Sequence, residues 1–154
     1  MYQKILVPID GSPTSSRGLQ EAIKLAKLTG ARLRLMHVVD SISFAVGMEA
    51  AMMVTGEMLE LMREGGRELL DKARARVEKA GLRVDTVLVD SLAGRVCDLV
   101  VAQAESWHAG LIVLGTHGRR GVGRMLLGSD AELILRLATV PVLLVRAAEA
   151  PAKS

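Results

Sequence analysis

The sequence predicts an α/β protein built on a doubly wound, open parallel sheet of five strands with helices on both faces. Two observations predict it. Five short apolar runs, most ending at a polar or glycine-containing turn, alternate with four segments whose apolar residues recur at helical spacing. Such an alternation favours a parallel sheet covered by helices, and right-handed crossovers leave few topologies. The expected strand order is 3-2-1-4-5, a Rossmann-like arrangement whose crevice opens between the first and fourth strands.

The first unit is a strand, a turn and a helix. The apolar run Lys4 to Asp10 predicts a buried strand that ends at the polar turn Asp10-Gly11-Ser12-Pro13. Thr14 or Ser15 is expected to cap the helix that follows, because small hydroxyl side chains accept hydrogen bonds from the amides of a helix start. The helix is expected to end at Gly30, where glycine can adopt the left-handed conformation.

The second unit contains the least regular segment. Ala31 to Asp40 predicts a second strand, since its apolar residues first alternate and then run continuously. Residues 41–55 are rich in methionine and lack a clear period, which favours a mobile loop or a short helix. From Gly56 to Ala80 the helical period returns and Gly81 ends it, although Gly65-Gly66 is expected to weaken the middle of this helix.

The second half of the chain continues the alternation without a linker, an internal repeat or a low-complexity segment. The predicted elements are a strand at 83–90, a helix at 94–108, a strand at 111–115, a helix at 128–138 and a strand at 140–146. Residues 1–147 are expected to form one domain, followed by a flexible C-terminal tail at 148–154.

Composition argues against several classes of site and partner. Half of the 154 residues are hydrophobic, which suits one globular domain with a full core. The net charge of +3 is small and the aromatic residues are only Tyr2, Phe44 and Trp107, so no nucleic-acid platform that stacks bases is expected. The single cysteine, Cys97, excludes an internal disulfide and a multi-cysteine zinc site, and we expect it to be a small core residue. No clustered metal ligands are visible.

No membrane association is expected either. The N-terminal segment enters a strand pattern at once, without a charged region followed by a long apolar run. No apolar stretch is long enough to span a bilayer. The expectation is therefore a soluble cytoplasmic protein.

The stretch from Leu111 to Glu132 predicts an anion site. A buried strand leads into a loop rich in glycine and arginine, and Ser129 with Glu132 forms a predicted capping box at the start of the next helix. Backbone amides at a helix N-terminus bind anions. The three arginines of the loop indicate phosphate, unless they form only a solvated loop.

Topology places two stretches at one crevice. Asp10-Gly11-Ser12 follows the first strand and Gly115-Thr116-His117-Gly118 follows the fourth, so both are expected at the same edge of the sheet. Asp10 could accept a hydrogen bond from a ribose or an adenine amino group, or it could serve only as a turn former. His37 and His117 are expected near the rim of the crevice without a visible acid or nucleophile partner, so no catalytic residue is predicted.

Two common nucleotide motifs are absent. A P-loop needs a glycine loop that ends in Gly-Lys-Ser/Thr, and the dinucleotide fingerprint needs three spaced glycines after the first strand. Instead, the spacing Gly115-x2-Gly118-x9-Gly128-Ser129 resembles the ATP-binding signature of the universal stress protein family. The segments ILVPIDGS, HVVD and VPVLLVR resemble that family's other motifs, in the right order and over essentially the whole chain.

The resemblance implies a cytoplasmic homodimer that binds ATP, or AMP or ADP, and has a regulatory role in a stress response instead of efficient catalysis. It implies that the residues after the first strand face the nucleoside and that Val38 and Val39 line the adenine. The glycines of the signature would approach the ribose and the phosphates, and Gly128-Ser129 would hold the phosphate tail. The predicted nucleotide-binding residues are Pro8, Ile9, Asp10, Gly11, Ser12, Val38, Val39, Leu114, Gly115, Thr116, His117, Gly118, Arg119, Arg120, Gly128, Ser129 and Asp130.

Asp130 departs from the small or apolar residue expected at that position. An acidic side chain suits the first turn of a helix, but it would repel a triphosphate if it pointed at one. It could face away, help to hold a divalent cation, or favour a less charged nucleotide.

Two other functions stay open at this point. A slow ATPase or phosphotransferase would recruit Mg²⁺ through Asp10 or Asp130, with His117 near the phosphates. A partner-binding dimer with an incidental nucleotide would use the apolar edge of the fifth strand, Val140 to Arg146. Antiparallel pairing of Val142 to Val145 with the same strand of a second subunit would cover that edge.

Overall fold

The computed structural model of the protein describes residues 1–41, 55–116 and 127–146. Three expectations concern residues outside these ranges. They are the methionine-rich segment that follows Ser41, the signature loop with His117, Gly118, Arg119 and Arg120, and the C-terminal tail.

Within the described ranges, five parallel strands form one sheet in the predicted order β3-β2-β1-β4-β5. The strands are β1 (Lys4–Pro8), β2 (Arg32–Val39), β3 (Val84–Asp90), β4 (Leu111–Gly115) and β5 (Val142–Val145). The helices are α1 (Pro13–Thr29), α2 (Gly56–Lys79), α3 (Val96–Ser106) and α4 (Ser129–Leu137), with a 3-10 turn at Ser91–Ala93. Each predicted strand is reproduced to within two residues at either end, and the predicted fold class is confirmed.

The two faces of the sheet carry separate cores. Ile5, Val7 and Leu35 are buried on the face covered by α1 and α2, whereas Leu6 and Met36 are buried on the face covered by α3 and α4. Successive side chains of a strand point to opposite faces, so one apolar strand serves both cores. Ile5 and Leu6 are 0% exposed, and complete burial of such a side chain contributes about 1.5–3 kcal/mol.

The start of α1 differs from the prediction. Ser12 is the N-cap, and its Oγ accepts a hydrogen bond from Ser15 N at 3.2 Å. Pro13 takes the first helical position, where no hydrogen bond is lost and its fixed φ suits the helix. Thr14 and Ser15 therefore lie inside the helix, and the prediction that one of them caps it is wrong. Gly30 ends the helix with a φ of 71°, as predicted.

The third helix is shorter than the predicted span 94–108. Gly94 closes the 3-10 turn with a φ of 149°, which favours glycine, and the α-helix starts only after it. Trp107 follows the helix as its C-cap and is buried. The Arg34 guanidinium lies 4.5 Å and the Lys4 ammonium 5.5 Å from the centroid of its ring. Two cations thus pack on the indole at the N-terminal end of the sheet, opposite the crevice.

Candidate functional site

The crevice lies at the carboxyl ends of β1 and β4, where the strand order reverses. β1 pairs with β2 on one side and with β4 on the other, so the segments after β1 and β4 emerge at the same edge. The first turns of α1 cover the end of β4, and a Cβ on Gly18 would lie 3.4 Å from Gly115 N. The structure therefore brings Asp10-Gly11-Ser12 to the edge where Gly115-Thr116 ends β4.

The turn after β1 is held by its own polar groups. Asp10 Oδ1 accepts a hydrogen bond from Ser12 N at 2.9 Å, and Gly11 between them has a φ of 82°. This Asx turn is the turn-forming role that the sequence allowed for Asp10. Asp10 N also donates to Ser15 Oγ at 3.1 Å. The first turn of α1 therefore fixes the backbone from which the Asp10 side chain leaves.

His37 lies beneath this turn. Its side chain is buried, and its Nδ1 lies 2.7 Å from the Ile9 carbonyl oxygen. Because a carbonyl can only accept, Nδ1 carries the proton in this bond. His37 shares a face of β2 with Leu33 and Leu35, which directs its ring into the interior. His37 thus lies close to the crevice, as predicted, but it is buried beneath the turn and not exposed at the rim.

Val38 and Val39 end β2 with opposite orientations. Val38 is partly buried and packs in the core next to α3 and α4, whereas Val39 is 2% exposed. Successive side chains of a strand face opposite sides. A ligand on one face of the sheet would therefore meet only one of the two side chains.

Gly115 is required by the protein's own packing. A Cβ at this position would lie 2.6 Å from the carbonyl carbon of Thr14 and 2.8 Å from Ser15 N. These are backbone atoms of α1 that cannot move aside independently. The sequence offered close approach to a ligand as the reason for this glycine, and close approach of α1 to β4 is a sufficient reason by itself.

Thr116 joins the two halves of the glycine signature. Its N–H donates to the Val145 carbonyl at 3.0 Å, and its own carbonyl accepts from Gly128 N at 2.7 Å. The start of α4 is thus bonded directly to the residue that follows β4. Gly128 therefore lies at the crevice edge of the sheet, beside Thr116.

The predicted capping box at the start of α4 is wrong. Gly128 is the N-cap, with an extended backbone, and no side-chain cap hydrogen bond is formed. Ser129 is the first helical residue and is exposed. Glu132 does not reach back to the cap, because its carboxylate pairs with Arg136 one turn ahead at 2.8 Å. The Ser129 hydroxyl therefore stands at the helix N-terminus without a capping role.

Asp130 is exposed in the first turn of α4, and its charge acts on the neighbouring helix. Burial raises the pKa of the Cys97 thiol, and the carboxylates of Asp98 and Asp130 raise it further. Cys97 itself is fully buried, which confirms the expectation of a small core residue.

A polar cluster at the ends of β2 and β3 was not predicted. Asp90 Oδ1 accepts from Ser41 Oγ at 2.8 Å and from Leu92 N at 3.0 Å, and Arg63 Nη2 donates to Oδ2 at 3.2 Å. Burial alone would raise the pKa of the Asp90 carboxyl, but these hydrogen bonds outweigh it and hold the pKa below its ordinary value. The cluster joins α2 to the edge of the sheet.

Metal sites and membrane spans are not found in the described ranges. No group of three or more histidine, cysteine, aspartate or glutamate side chains is placed there to hold a metal ion. In the same ranges, no helix combines the length and apolar character needed to cross a membrane.

Comparison with known proteins gives a consistent result. The family model of the universal stress protein family matches residues 1–146. A universal stress protein of Methanocaldococcus jannaschii, MJ0531, is 38% identical over 147 residues, which is 95% of this chain and 83% of the relative. The solved structure of the hypothetical protein MJ0577 superposes with a TM-score of 0.83 at 26% identity, and the match covers 97% of this chain and 99% of the other.

Two further solved structures contain nucleotides. A universal stress protein in complex with cAMP has a TM-score of 0.64 at 23% identity, over 96% of this chain and 98% of that one. The universal stress protein from Archaeoglobus fulgidus in complex with dAMP has a TM-score of 0.67 at 22% identity, over 94% and 98%. At such identities the two structures show the fold alone. With the match of the family model over nearly the whole chain, the five-stranded fold places this protein in the universal stress protein family.

Proposed function

We propose that the protein binds an adenine nucleotide, ATP or its close relatives AMP and ADP, in the crevice between β1 and β4. The hydrogen bond between Gly128 N and Thr116 O carries the proposal. This bond holds the start of α4, where the glycine signature ends, at one edge of the sheet. The turn after β1, which contains Asp10, lies at the same edge. The adenosine would then lie on the β1 side of the crevice and the phosphates on the β4 side. Ligands of open α/β sheets usually bind at this point, where the strand order reverses.

The adenosine half would lie against the turn after β1 and the end of β2. Asp10 would accept a hydrogen bond from the ribose through an oxygen of its carboxylate. The backbone of Pro8, Ile9, Gly11 and Ser12 would border the nucleoside. Val38 or Val39, whichever lies on the ligand's face, would contact the adenine.

The phosphates would lie at the N-terminus of α4. No side chain caps this helix, and backbone amides at a helix start favour an anion through hydrogen bonds and the helix dipole. Ser129 adds an exposed hydroxyl beside them. The rest of the proposed phosphate site, Gly118, Arg119 and Arg120 with His117, lies outside the described residues.

The two nucleotide-bound relatives support the choice of ligand. One of those proteins was solved in complex with cAMP and the other in complex with dAMP. In this chain, the fold presents the Asp10 carboxylate after β1 and the start of α4 next to the residue that follows β4. For this chain we propose ATP, whose triphosphate is longer than the monophosphate of those two ligands. Binding would have a regulatory role by stabilising one conformation of the protein.

The binding test is a titration calorimetry series with ATP, AMP and GTP on the purified protein. We expect ATP to bind, Asp10→Ala to weaken ATP by at least about tenfold through loss of a charge-assisted hydrogen bond, and Ser129→Ala to weaken ATP more than AMP. Asp71→Ala removes one exposed carboxylate from α2 and serves as the charge-matched control. Absence of any heat or melting shift with millimolar ATP would refute the proposal.

A slow ATPase is the enzymatic alternative. It would require Mg²⁺ near Asp10 or Asp130 and steady release of phosphate. Under our proposal, phosphate release by the wild type does not exceed that of Asp10→Ala. A turnover that disappears in Asp10→Ala, but persists in Asp71→Ala, would favour the enzyme instead.

We also propose a homodimer through β5. This strand ends the sheet, and Leu143 on β5, together with Leu135 and Leu137 of α4, is an exposed large apolar side chain. An uncovered apolar edge strand favours pairing with a second copy. Light scattering should therefore give a dimer that Leu143→Asp dissociates, whereas Leu28→Asp, on the exposed face of α1, leaves it intact. A monomer at micromolar concentration would contradict the dimer.

A further inference from the structure

We propose that His37 and Ser15 are positioning residues for Asp10: together they hold the Ile9–Asp10 peptide, and through it they set how tightly the nucleoside half of the ligand is bound. This inference rests on the proposed nucleotide function. Neither side chain belongs to the predicted binding set.

The two side chains bond to the two polar groups of one peptide unit. The carbonyl of this unit, Ile9 O, accepts from His37 Nδ1 at 2.7 Å. Its amide, Asp10 N, donates to Ser15 Oγ at 3.1 Å. Because the carbonyl and the amide of a trans peptide point in opposite directions, bonds at both ends fix the rotation of the plane. A third bond, from Ile9 N to Met36 O at 2.8 Å, holds the preceding unit against β2.

The arrangement joins three elements at one peptide. His37 comes from β2, Ser15 from α1, and the held peptide lies between β1 and α1. Each of the two side chains is 6% exposed, so water does not readily replace either bond. The Asp10 side chain leaves directly from this peptide, and its Oδ1 is already directed by Ser12 N. The direction of the carboxylate therefore depends on groups that lie below the crevice.

The His37 ring also touches α2. A Cβ on Gly66 would lie 2.8 Å from His37 Cδ2, so the absence of a side chain at Gly66 gives the ring its place. The Nδ1 proton is fixed by the Ile9 carbonyl. His37 is thus packed in one orientation between α2 and the Asp10 turn, as a positioning residue requires.

The test compares His37→Leu with His37→Asn. Leucine keeps a branched side chain of related shape but has no donor, whereas the asparagine amide nitrogen can occupy the position of Nδ1 and donate to Ile9 O. We expect His37→Leu to raise the dissociation constant for ATP about tenfold, the effect of losing one hydrogen bond, and His37→Asn to restore most of the loss. Inorganic triphosphate, which lacks the nucleoside, should bind both variants as it binds the wild type.

A double-mutant cycle separates positioning from general damage. In the Asp10→Ala background, His37→Leu should have little further effect on ATP binding, because the side chain that it positions is gone. Equal effects in both backgrounds, or equal losses for ATP and inorganic triphosphate, would overturn the proposal. If His37→Leu does not fold, the same cycle is made with Ser15→Ala, for which the same outcomes count.

A spectroscopic measurement adds a readout that needs no ligand. Nitrogen-15 spectra of the histidine side chains should show His37 with its proton on Nδ1, assigned by its loss in His37→Asn. A proton on Nε2 alone would overturn the inference. Failure of the wild type to bind ATP would refute the proposed function itself. If the wild type binds ATP, but the effects of His37→Leu and Asp10→Ala on ATP binding are additive, only the positioning role is refuted.

Discussion

Gly66 of α2 faces the His37 ring so closely that a Cβ would lie 2.8 Å from His37 Cδ2 and equally close to Leu88 Cδ1. Gly65, its neighbour in the same helix, has no atom within 4 Å of an added Cβ. Two adjacent glycines of one helix therefore have opposite structural roles. That both glycines weaken the helix stays a prediction from the sequence, but at Gly66 the missing Cβ also makes room for His37 and Leu88.

Alanine substitutions should separate these roles. Gly65→Ala should raise the free energy of unfolding by about 0.5–1 kcal/mol, because alanine loses less backbone entropy in a helix. Gly66→Ala should lower it by about 1–3 kcal/mol, since the ring and Leu88 must move to avoid overpacking. Urea denaturation of both variants measures the difference. Changes of the same sign would show that α2 does not pack on His37 as described.

Acid should destabilise the protein through Asp90. The folded pKa of this carboxyl is lowered, so its contribution to stability is present above the ordinary aspartate pKa and is lost as pH falls through the folded pKa. Asp90→Asn should lower the free energy of unfolding at pH 7 by about 1–2 kcal/mol, because the amide cannot accept from Arg63 and Ser41 as the carboxylate does. The difference from the wild type should shrink as the pH is lowered from 5 toward 3.

The measurement is urea denaturation at several pH values, with Asp71→Asn as the control. Asp71 is an exposed carboxylate on α2, the helix that carries Arg63. Asp71→Asn should track the wild type at every pH. A difference between Asp90→Asn and the wild type that stays constant down to pH 3 would mean that ionisation of Asp90 contributes nothing.

Arg34 should stabilise the N-terminal end of the sheet more than Arg32 does, although both pair with Asp85. The Arg34 guanidinium also lies over the Trp107 ring, and lysine cannot reproduce both the planar stacking and the two hydrogen bonds to the carboxylate. Arg34→Lys should therefore cost about 1 kcal/mol. Arg32→Lys, at a half-exposed pair, should cost less than about 0.5 kcal/mol.

Trp107 is the single tryptophan of the chain, so its fluorescence reports on this contact directly. The emission of folded Arg34→Lys should differ from that of the wild type, and that of Arg32→Lys should not. Equal unfolding energies for the two variants would mean that the cation over the ring adds nothing to the ion pair.

Features that are visible along the chain could be predicted from the sequence, whereas features that depend on tertiary packing could not. The fold class could be predicted because the alternation of strands and helices is visible along the chain, and because right-handed crossovers leave only a few strand orders to choose from. The inward direction of His37 was also encoded, by its two-residue spacing from Leu33 and Leu35. The contact between Gly66 and His37 was not, because it depends on how α2 settles on the sheet.

Why position 115 requires glycine could not be decided from the sequence either, because the answer also depends on how a helix packs on the sheet. A ligand and a neighbouring helix make the same demand on a glycine, and only the position of α1 shows that Thr14 and Ser15 occupy the space. Within the candidate site, sequence therefore identified the segments that meet but not the groups that hold them. Of the two holding groups, His37 reaches the Ile9 carbonyl from 28 residues away on another strand, whereas Ser15 reaches Asp10 N from five residues away once α1 has formed.

Two serines near helix starts should differ sharply in their effect on stability. Ser12 is the N-cap of α1 and accepts from Ser15 N, whereas Ser129 follows the N-cap Gly128 and makes no capping bond. Ser12→Ala should therefore lower the free energy of unfolding by about 1 kcal/mol, and Ser129→Ala should change it by less than about 0.5 kcal/mol. Urea denaturation followed by circular dichroism compares them. Equal losses of unfolding free energy would mean that Ser129 does cap α4, as the sequence suggested. Its hydroxyl would then be engaged by the helix and would not be available to bind a phosphate.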